Sequence, residues 1–336
     1  MSSTIGFYAL TADTIAGSTM SHTAARAEPW NRPHILSRTG QGSHIHRIGV
    51  SGVGAPRAPL PYFRESGSGP HVLCIHAFSA SANQYQDLEK RLALRFRVIT
   101  ADLYGHGRSP AWRGGSRFTL ADEAEPLELL LPEEGPVHLV GHSYGAAVAL
   151  RIAGNNPGRV RSLTLYEPTM WGTLSRRFAN EPATREIESL RDETIHLIKH
   201  GSLETAAERF IDYWAGPGSW AATPRERRPR LAATIRALPA VWEATFCEYW
   251  SASALRALKI PCLLMSGWNT TAAARQAVDV LGAGLPMAST LHLTGLGHLG
   301  PISHPEVINP IIEKFLIANS EGLAEAKVSE PIHDFA

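Results

Sequence analysis

The sequence predicts an α/β fold, a mostly parallel central sheet flanked by helices, with a helical cap inserted between two of the strands. Three observations carry this. Six short apolar runs rich in β-forming residues recur along the chain, helical patterns lie between several of them, and one long interval is helical throughout. Apolar character that is continuous rather than alternating suits strands covered on both faces, as in a parallel sheet. Strand–helix alternation then favours right-handed crossovers.

The first three runs are HVLCIHA (71–77), FRVITADL (96–103) and VHLVGHS (137–143). The next three are VRSLTLYEP (160–168), CLLMSG (262–267) and TLHLTG (290–295). Helices are expected at 82–94, 146–155, 272–281 and 305–319. Upstream, HIHRIGV (44–50) and LPYFRES (60–66) are candidates for antiparallel edge strands. From about Met170 to Ser253 no strand pattern occurs, and Leu203, Ala206, Ala207, Phe210 and Trp214 fall at helical spacing. Five of the eight tryptophans (Trp171, Trp214, Trp220, Trp242 and Trp250) lie in that interval. The expected organisation is a poorly ordered extension at 1–55, a core at 56–169 and 253–320, a cap at 170–252 and a polar tail at 321–336.

A chain of 336 residues with 44% hydrophobic and 19% charged residues can bury a sizeable core. Its formal net charge of +1 gives no electrostatic reason to expect nucleic acid or an anionic membrane as partner. Cys74, Cys247 and Cys262 form no CxxC pair, so neither a disulfide framework nor a zinc site is expected. No apolar run approaches the ~20 residues that span a bilayer. The first residues lack a basic segment ahead of a long apolar one, which argues against a secretory leader. A faint transit-peptide character and a later start at Met20 are the other readings of that end. A soluble, cytoplasmic protein without metal or cofactor is expected.

The motif that carries chemistry is Gly141-His142-Ser143-Tyr144-Gly145, a G-x-S-x-G directly after a buried strand and directly before a helix. Such a turn is sharp and strained, and it lifts the serine hydroxyl above the strand ends at the positive end of the helix. Small flanking residues let neighbouring chain pass close. A serine hydroxyl needs a base to become a nucleophile. His298, in a Gly-rich loop between the last strand and the last helix, is the candidate among fifteen histidines. His304 reads as the start of the final helix, and His142 as a packing or hydrogen-bonding residue.

The elbow GHSYG, the turn DLYGHGRS (102–109), the strand-loop CIHAFSASANQY (74–85) and the terminal GLGHLGPISHPE (295–306) stand in an order that resembles serine-dependent α/β-hydrolase-fold proteins. The resemblance runs from about Pro61 to Ala318. It implies an oxyanion hole made by the main-chain N–H groups of Tyr144 and Phe78. His76-Ala77 departs from the His-Gly usual there, and alanine is accommodated if its φ stays negative. Asp102 is implied mainly to shape the sheet's rim, with the catalytic acid as its other reading. The family's acid usually follows the strand that here ends at Gly267, near Thr270, yet Gly267-Trp268-Asn269-Thr270-Thr271 contains none. Some members carry it instead after the strand that follows the nucleophile's helix, which points to Glu167. A Glu167 that only caps its strand, or a Ser143–His298 dyad without an acid, are the other readings. A serine at the elbow disfavours epoxide hydrolase and haloalkane dehalogenase chemistry, where a carboxylate stands.

The aromatic cap suggests an enclosed apolar pocket, with His76, Trp171, Trp214 and Trp268 as its candidate lining. RRPR (227–230) reads as a solvated helix end. The expected function is hydrolysis of a small-to-medium hydrophobic ester, thioester or lactone through an acyl-enzyme. The partner is then a small molecule, and the oligomeric state stays open. A lyase or cyclase using the same residues for acid–base work, and a non-catalytic ligand receptor, are the alternatives.

Overall fold

A computed structural model describes residues 59–113 and 117–320. The candidate strand HIHRIGV and both chain ends lie outside the described residues.

In chain order the elements are β1 (Phe63–Ser66), β2 (His71–Ile75), α1 (Gln86–Leu92), β3 (Arg97–Ala101), α2 (Leu120–Glu128), β4 (Val137–His142), α3 (Tyr144–Asn155) and β5 (Val160–Tyr166). Seven helices follow: α4 (Trp171–Arg177), α5 (Pro182–Lys199), α6 (Leu203–Ala215), α7 (Ser219–Ala222), α8 (Arg228–Ile235), α9 (Leu238–Cys247) and α10 (Ala252–Ala257). The chain then completes the sheet with β6 (Cys262–Gly267), α11 (Ala272–Gly284), β7 (Ala288–Leu293), α12 (Gly300–Ser303) and α13 (Pro305–Ala318). The sheet has seven strands in the order β1-β3-β2-β4-β5-β6-β7. Among the described residues, only the β1–β3 pair is antiparallel.

The continuous apolar runs follow from burial on both faces. In β2, Leu73 and Ile75 pack with α2 and α3, while Val72 and Cys74 pack with α1 and α13. Leu139 and Val140 divide in the same way in β4, as do Leu264 and Met265 in β6. Each face therefore removes side chains from water at roughly 1.5–3 kcal/mol apiece before entropy is counted. Cys74 and Cys262 are buried free thiols, and burial pushes both of them up.

Four elements differ from the sequence-based expectation. The short α12 was not expected, and β7, expected as a covered strand, lies mostly at the surface, with Ser289, Thr290 and Leu291 exposed. The helix expected at 82–94 opens as a 3₁₀ turn over Ala82–Tyr85 before α1 begins. Helix α2 was not expected, because Asp122, Glu123, Glu125 and Pro126 dilute its apolar period. It does carry a start signal: Thr119 accepts from the Asp122 N–H at 3.2 Å, and Asp122 accepts from the Thr119 N–H at 2.8 Å. That reciprocal pair is a capping box, with Asp in the place of the usual Glu.

The helices between β5 and β6 share one apolar cluster with the α3 face of the sheet. Trp171 of α4 stacks on Trp214 of α6, with centroids 6.0 Å apart. One turn before Trp214, Phe210 meets Phe78 edge-to-face at 5.5 Å. Side chains four apart share a helix face, so one stripe of α6 lies against the loop after β2. Among the described residues, no helix is long and apolar enough to cross a membrane.

Candidate active site

The site forms where β2, β4, β5 and β6 end side by side. Ser143 follows β4 with φ 55° and ψ −117°, far from ordinary L-residue backbone. Two glycines permit this turn. A Cβ on Gly141 would come within 2.6 Å of the Ala146 Cα, and one on Gly145 within 2.3 Å of the Ile75 and His76 carbonyl oxygens. The G-x-S-x-G spacing is thus a steric requirement: α3 starts in contact with the end of β2.

His298 reaches Ser143 from the loop after β7. Its Nε2 lies 2.9 Å from Ser143 Oγ. The loop rests on the ends of β5 and β6: Tyr166 Oη donates to the Gly297 carbonyl at 2.7 Å, and a Cβ on Gly267 would sit 2.2 Å from the Leu296 carbonyl oxygen. His142 supports it from beneath, its Nε2–H donating to the His298 carbonyl at 2.8 Å. Burial holds His142 well below the ordinary histidine range. It is therefore neutral, and its Nδ1, which has no partner, carries no proton.

Glu167 stands directly after β5, in the strand order between the elbow strand β4 and β6. Its Oε2 accepts from His298 Nδ1 at 2.6 Å and from Thr270 Oγ1 at 2.7 Å, and its Oε1 accepts from the Gly267 N–H at 2.7 Å. The side chain has no exposure to solvent. A carboxylate buried this deeply is sustained only by such donors. With the carboxylate on Nδ1, the imidazole holds its proton there and leaves Nε2 free to accept from Ser143. Glu167 also has a positive φ of 47°, one of three such non-glycine residues among those described, with Ser79 and Ser143. Backbone strain at two residues joined through one histidine is the pattern expected where geometry serves function.

The loop after β2 supplies the other wall. Among the described residues, neither the Phe78 nor the Tyr144 N–H donates a hydrogen bond to the protein. Ala77 is absent from the positive-φ residues, so the departure from glycine is accommodated. Asp102 does shape the rim, accepting from the Ala82 N–H at 2.6 Å and the Arg108 N–H at 2.8 Å.

Two of the expected pocket residues are corrected. His76 is fully buried; its Nδ1 bonds the Ala77 carbonyl at 2.7 Å, and its Nε2 accepts from the Leu103 N–H at 3.0 Å. Burial lowers it to about 3, so it is a neutral strut for the loop with no polar atom left for a substrate. Trp268 is 57% exposed and lies against His292 with the Arg275 guanidinium over it. It is a surface residue because β6 ends at Gly267 and the chain turns outward. Trp214 is placed on the site, its ring 4.2 Å from that of His298. Trp171 is buried and stacks on Trp214.

Sequence reasoning missed Glu123. This carboxylate on α2 is buried, accepting from the Tyr104 N–H at 2.8 Å and from Tyr144 Oη at 3.1 Å. It therefore anchors the side chain of the residue that follows the elbow serine. Burial raises Glu123 from 4.5 to about 7. The folded state holds this proton more tightly than the unfolded chain, so its contribution to stability is full below about 4.5 and is lost as pH rises to about 7. Glu123→Gln is expected to remove that slope. The difference between wild-type and variant unfolding free energies, from denaturant titrations at pH 4.5 and 8, should change by about 2–3 kcal/mol. Parallel pH curves would show that Glu123 is not the group.

The sheet order, a serine on a strand–turn–helix and a buried Ser–His–carboxylate chain together define the class of α/β proteins that hydrolases populate. The chain belongs to the alpha/beta hydrolase family, whose family model matches residues 72–311. Over 261 residues it is 27% identical to a pimeloyl-[acyl-carrier protein] methyl ester esterase of Aeromonas hydrophila, covering 74% of this chain and 96% of that one. An enzyme of the same name from Methylococcus capsulatus is 33% identical over 195 residues, 53% of this chain and 70% of that one. In fold it is similar to a thermophilic esterase from Thermogutta terrifontis, with a TM-score of 0.60 and 24% identity over 77% of this chain and 93% of that one. A hydrolase from Oleispira antarctica gives a TM-score of 0.63 at 19% identity, over 76% and 94% of the two chains.

Proposed function

We propose that Ser143 is the nucleophile of a carboxylic ester hydrolase, with His298 as its general base and acid and Glu167 as the orienting carboxylate. The chain is an α/β-hydrolase acting on ester bonds, the activity named for its Aeromonas and Methylococcus relatives. The observation that carries the roles is the continuous hydrogen-bonded chain Ser143–His298–Glu167.

Ser143 Oγ attacks the ester carbonyl as His298 Nε2 takes its proton. Negative charge then develops on the carbonyl oxygen, where the unpartnered N–H groups of Phe78 and Tyr144 serve as donors. One such donor contributes about 3 kcal/mol to the transition state. His298 returns the proton to the departing alcohol, leaving an acyl-enzyme that water hydrolyses by the same steps. Phe210 on Phe78 and Trp214 on His298 make the surroundings apolar and dry. This favours a small-to-medium hydrophobic acyl group with a short alcohol; the methyl ester named for both relatives shares the short alcohol, on an acyl group borne by a carrier protein.

The test needs no native substrate. A fluorophosphonate is expected to add once to the wild-type protein by intact mass, and not at all to Ser143→Ala. 4-Nitrophenyl butyrate hydrolysis should disappear with the adduct. A folded wild type that takes no label would overturn the reading.

A further inference from the structure

The loop after β6 has lost the acid that the family resemblance would place near Thr270, but it has not lost contact with the site. Thr270 is half-buried, and its hydroxyl donates to Glu167 Oε2 at 2.7 Å. That is the same oxygen that holds His298 Nδ1 at 2.6 Å. The loop is fixed on both sides of Thr270. The Trp268 N–H donates to the Leu293 carbonyl and the Asn269 N–H to that of Leu296, each at 2.8 Å. Thr271 caps α11 through the Ala274 N–H at 3.3 Å.

We propose that Thr270 is a positioning residue, which locks the relocated carboxylate of Glu167 in the orientation that aims His298 at Ser143. This rests on the reading of Glu167 as the orienting acid. A carboxyl group held only by Gly267 at Oε1 could swing its other oxygen about that contact. The Thr270 hydroxyl supplies the third fixed point, and any rotation that breaks its bond also tilts the bond to His298. A neutral donor suits this task, since a charged one would compete with the imidazolium for the carboxylate. The vacated acid position is thereby turned into a brace for the new one.

The experiment measures kcat and KM for 4-nitrophenyl butyrate, with active sites counted by fluorophosphonate. Thr270→Val keeps the shape and removes the donor, and kcat is expected to fall about ten-fold, the weight of one hydrogen bond to a charged group. KM should stay constant, because Thr270 is argued to act through Glu167. Thr270→Ser restores the donor without the methyl group and should return kcat to within about two-fold of wild type. A Thr270→Val enzyme equal to wild type, or a Thr270→Ser enzyme as slow as Thr270→Val, overturns the proposal. Should Thr270→Val fail to fold, Thr270→Ala takes its place at this half-buried position, with Thr270→Ser as the restoring variant. A Thr270→Ala enzyme with kcat equal to wild type overturns the proposal, and a loss of about ten-fold at constant KM supports it. Failure of the underlying reading looks different: Glu167→Gln would then turn over like wild type whatever stands at position 270.

Discussion

Glu167→Gln is expected to lower kcat by about 10³-fold or more while the protein keeps its fold. Three donors converge on this carboxylate: the Gly267 N–H, the Thr270 hydroxyl and His298 Nδ1. A carboxylate accepts from all three, whereas an amide offers one acceptor oxygen and a nitrogen that is itself a donor. If the amide nitrogen faces His298, it forces the imidazole proton from Nδ1 to Nε2, and the ring can no longer take the Ser143 proton. If the nitrogen faces Gly267 instead, it opposes a main-chain N–H in a fully buried position, so the first arrangement and its tautomer are favoured. Labelling by fluorophosphonate should slow in proportion to kcat.

Asp102→Asn gives the contrasting result. Asp102 bonds two main-chain N–H groups on the sheet's rim, so an amide there opposes one of them and lowers the melting temperature, with turnover per labelled site near that of wild type. Circular dichroism melts and active-site titration separate the two effects. A Glu167→Gln enzyme within ten-fold of wild type, with Asp102→Asn inactive per labelled site, would reverse the assignment.

The inner strands β2 to β6 were legible because burial on both faces leaves a mark that needs no partner to be read. Val72 and Leu73 point to opposite faces and both are apolar, so HVLCI declares a covered strand by itself. The elbow was legible for a similar reason, since its constraints act between residues a few positions apart. Glu167 was a different case. Its contact with His298 spans 131 residues and depends on β5 lying between β4 and β6, an order that strand composition does not contain. Only the absence of an acid after Gly267, set beside the family resemblance, pointed to it. His76 and Trp268 were misplaced because residue type alone does not tell which way a loop turns. Two main-chain groups use up the His76 nitrogens, and the outward turn after Gly267 carries Trp268 to the surface. Glu123 left no chemical motif at all. The Thr119–Asp122 capping box that starts its helix was readable, but the burial of Glu123 against Tyr144 follows from how α2 crosses α3.

Gly145→Ala is expected to be among the most damaging single-methyl changes near the site. The added Cβ would lie 2.3 Å from two carbonyl oxygens at the end of β2, those of Ile75, its last residue, and His76, the residue after it. Ile75 is paired on both sides by β3 and β4, and His76 is fixed through its buried ring to Ala77 and Leu103, so neither side can yield cheaply. Helix α3 must instead lift away from β2, and overpacking of this kind costs about 1–3 kcal/mol. The functional cost is larger, because the same displacement carries the Tyr144 N–H away from the Phe78 loop and moves Ser143 relative to His298. Loss of one oxyanion donor alone is worth about 10²–10³ in kcat, so the variant should fall at least that far, with a melting temperature several degrees below wild type. Gly158→Ala is the control: nothing lies within 4 Å of its Cβ position and its φ is not positive, so stability and turnover should both hold. If Gly145→Ala lost stability but kept turnover per labelled site, the contact between α3 and β2 would be a packing feature only. If it lost turnover with an unchanged melting temperature, the strain would be absorbed within the elbow, and the close approach would serve catalysis more than folding.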